Sequence, residues 1–151
     1  MDQVAKHIDV PFVSNDPDSF RPAYAHDGDA ASDLRAACDG VIEPGKRMLI
    51  PCGFSMAIPE GYAGLVLPRS GLAVHHGITV LNAPGLIDSS YRGEIMVSLL
   101  NTDANNAFEF SQGDRIAQLM IIPYPQVSFV SVESIDETDR GSGGFGSSGR
   151  A

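Results

Sequence analysis

The sequence predicts an all-β domain, a sandwich or barrel with one short helix, and three observations carry that prediction. Apolar runs of three to seven residues dominate the chain. Several alternate with polar residues at period two, as in Val127-Ser128-Phe129-Val130-Ser131-Val132. Glycine- and proline-rich turns separate the runs.

In chain order the runs lie at 8–13, 48–50, 54–58, 63–67, 78–81, 95–100, 107–110, 116–122 and 127–132. The first is read as the opening strand. Turn signals fall between the others at Pro44-Gly45, Pro59-Glu60-Gly61, Pro84-Gly85, Asn105-Asn106 and Gln112-Gly113-Asp114. The helix is expected at 71–76, with Ser70 as its N-cap and Gly77 as its stop. Residues 140–151 are rich in Gly and Ser and too poor in apolar residues to fold alone. They are expected to form an arm that stays mobile until something orders it. The chain therefore divides into a β domain over 1–139 and an arm over 140–151.

With 151 residues, 43% of them hydrophobic, the chain can bury one core. No run of about 18 apolar residues exists, so no membrane span is expected. Met1-Asp2-Gln3-Val4 shows no basic region followed by an apolar one, which predicts no secretory signal. Cys38 and Cys52 lack metal-ligand spacing and are read as reduced structural thiols of a cytoplasmic protein. A net charge of −9 argues against nucleic-acid binding but not against a small phosphorylated ligand. Eight of the ten basic residues are Arg, whose guanidinium group grips phosphate with two parallel hydrogen bonds.

Three segments carry groups suited to chemistry. Asp88 stands between the apolar runs 78–81 and 95–100, followed by Tyr91 and Arg92-Gly93. It reads as a hairpin tip that presents a base, a stacking surface and a cation, or else as a turn aspartate beside a core tyrosine. Arg69, Ser70 and Gly71 open the expected helix, where free N–H groups suit an anion; the plainer reading is a cap with a solvated Arg. The arm runs Arg140-Gly141-Ser142-Gly143-Gly144-Phe145-Gly146-Ser147-Ser148-Gly149-Arg150. Its glycines can wrap phosphates and Phe145 offers a π-face to a base, although a disordered tail is the simpler alternative. It is not a P-loop, since it lacks Gly-Lys-Ser/Thr and a following helix. Weaker candidates are Asp33, whose carboxylate could hold a hydrated Mg²⁺ or simply sit in a turn, and Gln118, which interrupts the run 116–122. Asp114-Arg115 reads as a simple ion pair. His75-His76 is set aside as a metal pair, because adjacent helical residues diverge.

Taken together, segments 29–34, 68–73, 82–95, 113–121 and 140–149 resemble the five motifs of the homotrimeric dUTP pyrophosphatase (dUTPase) family, in that family's order and spacing. The resemblance implies a jelly-roll-like β-barrel of the β-clip kind and three shared sites per trimer. It implies Mg²⁺-dependent cleavage of dUTP to dUMP and pyrophosphate, and an arm that closes a neighbouring site. By position, Asp88 would activate the water that attacks the α-phosphorus. Tyr91 would pack on the deoxyribose and exclude a 2′-hydroxyl. Asn82, Gly85, Ile87 and Met96 would surround uracil. Arg69, Ser70, Gly71 and Gln118 would hold phosphates, and Asp33 would meet Mg²⁺ through water. From the arm, Phe145 and Gly146 would cover the base, and Arg140, Ser147 and Ser148 would hold the γ-phosphate region.

Leu86, Ser89-Ser90, Ala31-Ser32 and Ser148 depart from the family's commoner residues, but none removes a catalytic group. Two other readings compete. A dCTP deaminase would need a glutamate-centred hairpin, where this chain has Asp88-Ser89-Ser90-Tyr91. A nucleotide-sensing trimer without turnover would not need Asp88.

Overall fold

The computed structural model describes residues 7–149. Its elements are β1 (Phe12–Val13), α1 (Pro17–Phe20), β2 (Ser32–Arg35), β3 (Gly40–Ile42), β4 (Arg47–Met56), β5 (Tyr62–Leu67), α2 (Ser70–His76), β6 (Ile78–Val80), β7 (Gly85–Ile87), β8 (Glu94–Asn101), β9 (Phe108–Phe110) and β10 (Arg115–Pro123). One four-stranded sheet has the order β1-β4-β8-β6, a second β2-β10-β5-β7, and β3-β9 form a ribbon. Every pairing between these strands is antiparallel. The fold is all-β and jelly-roll-like, as expected, but hydrogen bonding does not run continuously round a closed barrel.

Period-two burial builds the core. Ile50, Cys52, Phe54 and Met56 of β4 and Ile95, Val97 and Leu99 of β8 face inward from one sheet. Leu34, Val66 and Leu119 join the same cluster from the other. In β10 the consecutive residues Ile116 and Ala117 are both buried, which strict alternation forbids. A bulge between Arg115 and Ala117 permits it. Asn101 is the one fully inaccessible polar side chain among the described residues. Its amide donates to the carbonyls of Ile42 and Asn106, both at 2.9 Å, and its oxygen accepts from Asp103 N–H.

Several expectations are corrected. The opening strand is only Phe12–Val13, because Pro11 has no N–H to donate; its carbonyl still accepts from Ala57 N–H at 2.8 Å. The alternating segment 127–132 forms no strand and is exposed. It follows Pro123 and Pro125, and both sides of β10 are already occupied by β2 and β5. Run 48–50 and residues 54–56 of the next run belong to one ten-residue strand, β4, which passes through Gly53 with a register break. Helix α1 was not expected. Asp16 caps it by accepting Ser19 N–H, Pro17 opens it, and its one buried residue is Phe20. Strands β2 and β3 were not expected either, being too short, with four and three residues, to show a period.

Candidate active site

The segment between β6 and β8 is more than a hairpin tip. β6 and β8 pair in one sheet, but the chain between them crosses to the other sheet and adds β7 to the edge of β5. Gly85 pairs with Val66, Leu86 with Leu65 and Ile87 with Gly64. A Cβ at Gly85 would lie 3.2 Å from Val66 Cβ and 3.4 Å from the Asn82 amide, so a side chain would crowd both. The Ala83–Pro84 peptide at this crossing is cis.

Asp88 leaves the end of β7 exposed to solvent, and the loop after it is bonded largely to itself. Its carbonyl accepts from Tyr91 N–H at 3.1 Å. Arg92 Nη1 donates to the carbonyls of Ser89 at 2.5 Å and Tyr91 at 3.0 Å. Tyr91 Oη donates to the Glu94 carbonyl at 2.9 Å. Asp88, Tyr91, Leu86, Met96 and Leu49 line a cavity of about 330 Å³. A smaller one of about 80 Å³ adjoins it and is lined by Asn82, Gly85, Ile87, Met96 and Ser98. A carboxylate at the rim of a largely apolar cavity, with a narrow polar recess behind it, suits a small planar ligand and an activated water.

A second group gathers on the other sheet. Asp33 of β2 stands directly across from Gln118 of β10, which puts both side chains on one face. The Asp33 carboxylate lies between two guanidinium groups, 3.8 Å from Arg69 Nε and 3.5 Å from Arg115 Nη1. Arg69 Nη1 also donates to the Arg115 carbonyl at 2.8 Å. Arg115 therefore pairs with Asp33, not with Asp114, whose carboxylate instead accepts Ser111 N–H. The expected N-cap is corrected as well: Arg69 occupies the cap position with no side-chain cap bond, and Ser70 is the first helical residue. The first helical hydrogen bond runs from Ala73 N–H, which leaves the N–H groups of Ser70, Gly71 and Leu72 outside the helical ladder. A Cβ at Gly71 would meet nothing within 4 Å, so packing within this chain does not require the glycine. Gly77 stops the helix at φ 65°, as expected.

The structure does not bring these two groups together in one chain. The β5–β7 register carries Asp88 past Gly64, whereas Arg69 follows the opposite end of β5. At about 3.3 Å per residue they stand on the order of 15–20 Å apart. The described part of the arm, 140–149, joins neither group. Arg140 Nε folds back on the Gly143 carbonyl at 2.9 Å, Ser147 N–H bonds Gly144, and Gly146 and Ser148 lie in successive exposed turns. Phe145 is fully exposed. Arg150 and residues 1–6, which include the N-terminal stretch read for a signal, lie outside the described residues.

Sequence reasoning missed Glu94 and Leu49 beside Asp88, and it missed the pairing of Arg115 with Asp33. Gly113-Asp114-Arg115 stood in a motif segment, but its partner lies 82 residues away. Nothing local marks Leu49.

Among the described residues, no group of three or more His, Cys, Asp or Glu is placed to hold a metal ion. A single carboxylate fits an ion that arrives chelated by a phosphate chain and meets the protein through water, not one caged by the protein.

The dUTPase family profile matches residues 19–149. The chain is 49% identical over 142 residues to the deoxyuridine 5′-triphosphate nucleotidohydrolase of Leifsonia xyli subsp. xyli (strain CTCB07), covering 94% of this chain and 91% of that protein. It is 52% identical over 134 residues to the enzyme of that name from Thermobifida fusca (strain YX), covering 89% and 75%. A mutant dUTPase of Staphylococcus bacteriophage 80alpha, solved with dUpNHpp, superposes with a TM-score of 0.86 at 26% identity over 94% of this chain and 99% of that one. A mutant dUTPase from phage phi11 of S. aureus, described with a structural Mg(II) ion, shares the fold with a TM-score of 0.78 at 22% identity over 86% of this chain and 100% of that one.

Proposed function

The chain belongs to the dUTPase family, and from that membership we propose that it hydrolyses dUTP to dUMP and pyrophosphate through a water activated by Asp88. The observation that carries the mechanism is the exposed Asp88 carboxylate on the same cavity wall as Tyr91.

Asp88 accepts a proton from the water, which attacks the α-phosphorus; pyrophosphate leaves. The Tyr91 ring packs on the deoxyribose and leaves no room for a 2′-hydroxyl. The recess formed by Asn82, Gly85, Ile87 and Met96 takes uracil, and its polar groups would stay unpaired against cytosine. Arg69, Ser70, Gly71 and Gln118 hold the phosphates. Asp33 would face, through water, a Mg²⁺ ion chelated by the triphosphate, and that ion when bound would offset the charge of the phosphates. Phe145 and Gly146 of the arm cover the base, while Arg140, Ser147 and Ser148 meet the γ-phosphate.

The Asp88 group and the Arg69 group stand apart within one chain, which supports a homotrimer with shared sites. The outer face of the β4–β8 sheet supports it too, since Leu49, Leu81 and Met96 are exposed there. The proposed role is cytoplasmic: keeping uracil out of DNA and supplying dUMP for dTMP synthesis. No helix among the described residues is long and apolar enough to cross a membrane.

The test is pyrophosphate release with Mg²⁺ from dUTP, dCTP, dTTP and UTP by wild type and Asp88→Asn. Release from dUTP alone, lowered at least about 100-fold in the variant, is the expected result. Equal turnover by Asp88→Asn removes Asp88 from the mechanism, and ammonia release from dCTP replaces hydrolysis with deamination.

A further inference from the structure

The loop that carries Asp88 and Tyr91 is bonded mainly to itself, and Glu94 supplies a side-chain tie from it to a neighbouring strand. At the start of β8 the Glu94 Oε1 accepts from the Gly53 backbone N–H at 3.2 Å. Gly53 lies in the register break of β4: Pro51 pairs with Met96 and Ser55 with Glu94, so three β4 residues face the single residue Ile95. Gly53 has φ +78°, and a Cβ there would stand 2.6 Å from the Phe20 ring, so the bulge requires glycine. Its carbonyl accepts from Ser14 Oγ at 2.6 Å. The bulge is thus held on one side by Ser14 and on the other by Glu94, whose own carbonyl receives the Tyr91 hydroxyl.

We propose that Glu94 is a positioning residue for substrate selection: its carboxylate pins the start of β8 to the Gly53 bulge and so holds Tyr91 at the height that admits a deoxyribose and refuses a ribose. The inference rests on the reading of the Asp88–Tyr91 loop as the dUTP site. Asp88 precedes the pinned residues, so the anchor governs recognition of the sugar more than the chemical step.

The test compares Glu94→Gln, which keeps an acceptor oxygen, with Glu94→Ala and Glu94→Met; the Met variant keeps the length of the side chain and drops the acceptor. KM and kcat are measured for dUTP and UTP, alongside melting curves and ¹³C-tyrosine NMR with the Tyr91 resonance assigned through Tyr91→Phe. In the Ala and Met variants, KM for dUTP is expected to rise about tenfold and the dUTP:UTP preference to fall by a similar factor, with kcat within about threefold of wild type. The Tyr91 resonance shifts in both, and Gln restores KM and resonance. Wild-type KM and preference in folded Ala and Met variants overturn the proposal, as does a Gln variant as impaired as Ala. If wild type fails to hydrolyse dUTP, the functional reading falls, and the Tyr91 resonance still decides whether Glu94 holds the ring.

Discussion

The end of the Tyr91 ring occupies the space a side chain at Gly93 would need: a Cβ there would stand 2.7 Å from the ring Cζ. The glycine is required by this contact with its near neighbour and not by a left-handed backbone, since Gly93 is absent from the positive-φ positions. Gly93→Ala should therefore displace Tyr91 while leaving the sheets intact. The expected outcome is a drop in kcat/KM for dUTP of about tenfold, roughly 1.4 kcal/mol, with relaxed exclusion of UTP. Steady-state kinetics on both nucleotides checks it, with an unchanged far-UV spectrum as control.

Truncation after residue 139 separates binding from folding. Among the described residues, arm positions 140–149 bury no side chain in the core and bond within the arm and to Thr138. The truncated chain should melt within about 2 °C of the full chain at equal concentration. Its dUTP turnover should fall at least about tenfold if Phe145 covers the base and Arg140, Ser147 and Ser148 meet the phosphates as proposed. A large loss of stability would show that the arm is built into the fold.

Asn101 offers a stability prediction free of the site. Replacing it with Ala strands the buried Ile42 carbonyl and leaves the Asp103 N–H without its acceptor. The cost should be about 2–3 kcal/mol, read as a lower denaturant midpoint with an unchanged slope.

Cys52 sets an alkaline limit. Burial pushes its thiol from 9.0 up to about 12, and the nearby Glu94 carboxylate and Cys38 add to the rise. A raised folded pKa means that the native state holds its proton more tightly than the unfolded chain. The resulting stability is complete below about pH 9 and is lost as pH climbs from 9 towards 12. Melting temperature should fall across that window, and more gently in Cys52→Ala. At pH 8 the folded thiol should resist iodoacetamide, an electrophile that the thiolate attacks and the neutral thiol does not.

Much of the proposed site was legible because the groups it uses are local in sequence. Asp88, Tyr91 and the glycine-rich arm announce a base, a stacking face and a wrap for phosphates without any knowledge of the fold. What required pairing was not legible. Arg115 and Asp33 meet only because β10 lies beside β2, so Arg115 was assigned to its chain neighbour Asp114. The alternation at 127–132 is real, but a strand also needs a partner with free backbone groups, and β10 has none to offer. β4 read as two runs because Pro51 and Gly53 are usually breakers, yet here they mark a bulge that the strand passes through. β7 was hidden because three residues show no period, and its place is fixed by β5.

Between β6 and β8 the backbone is handed from one sheet to the other and back, like thread through two layers of cloth. Asp88 sits on that seam. Sliding of one layer over the other would pull that seam, and with it the Asp88 carboxylate. The residue proposed to activate water thus follows a strand, β7, that belongs to one layer, while β6 and β8 on either side of it in the chain belong to the other.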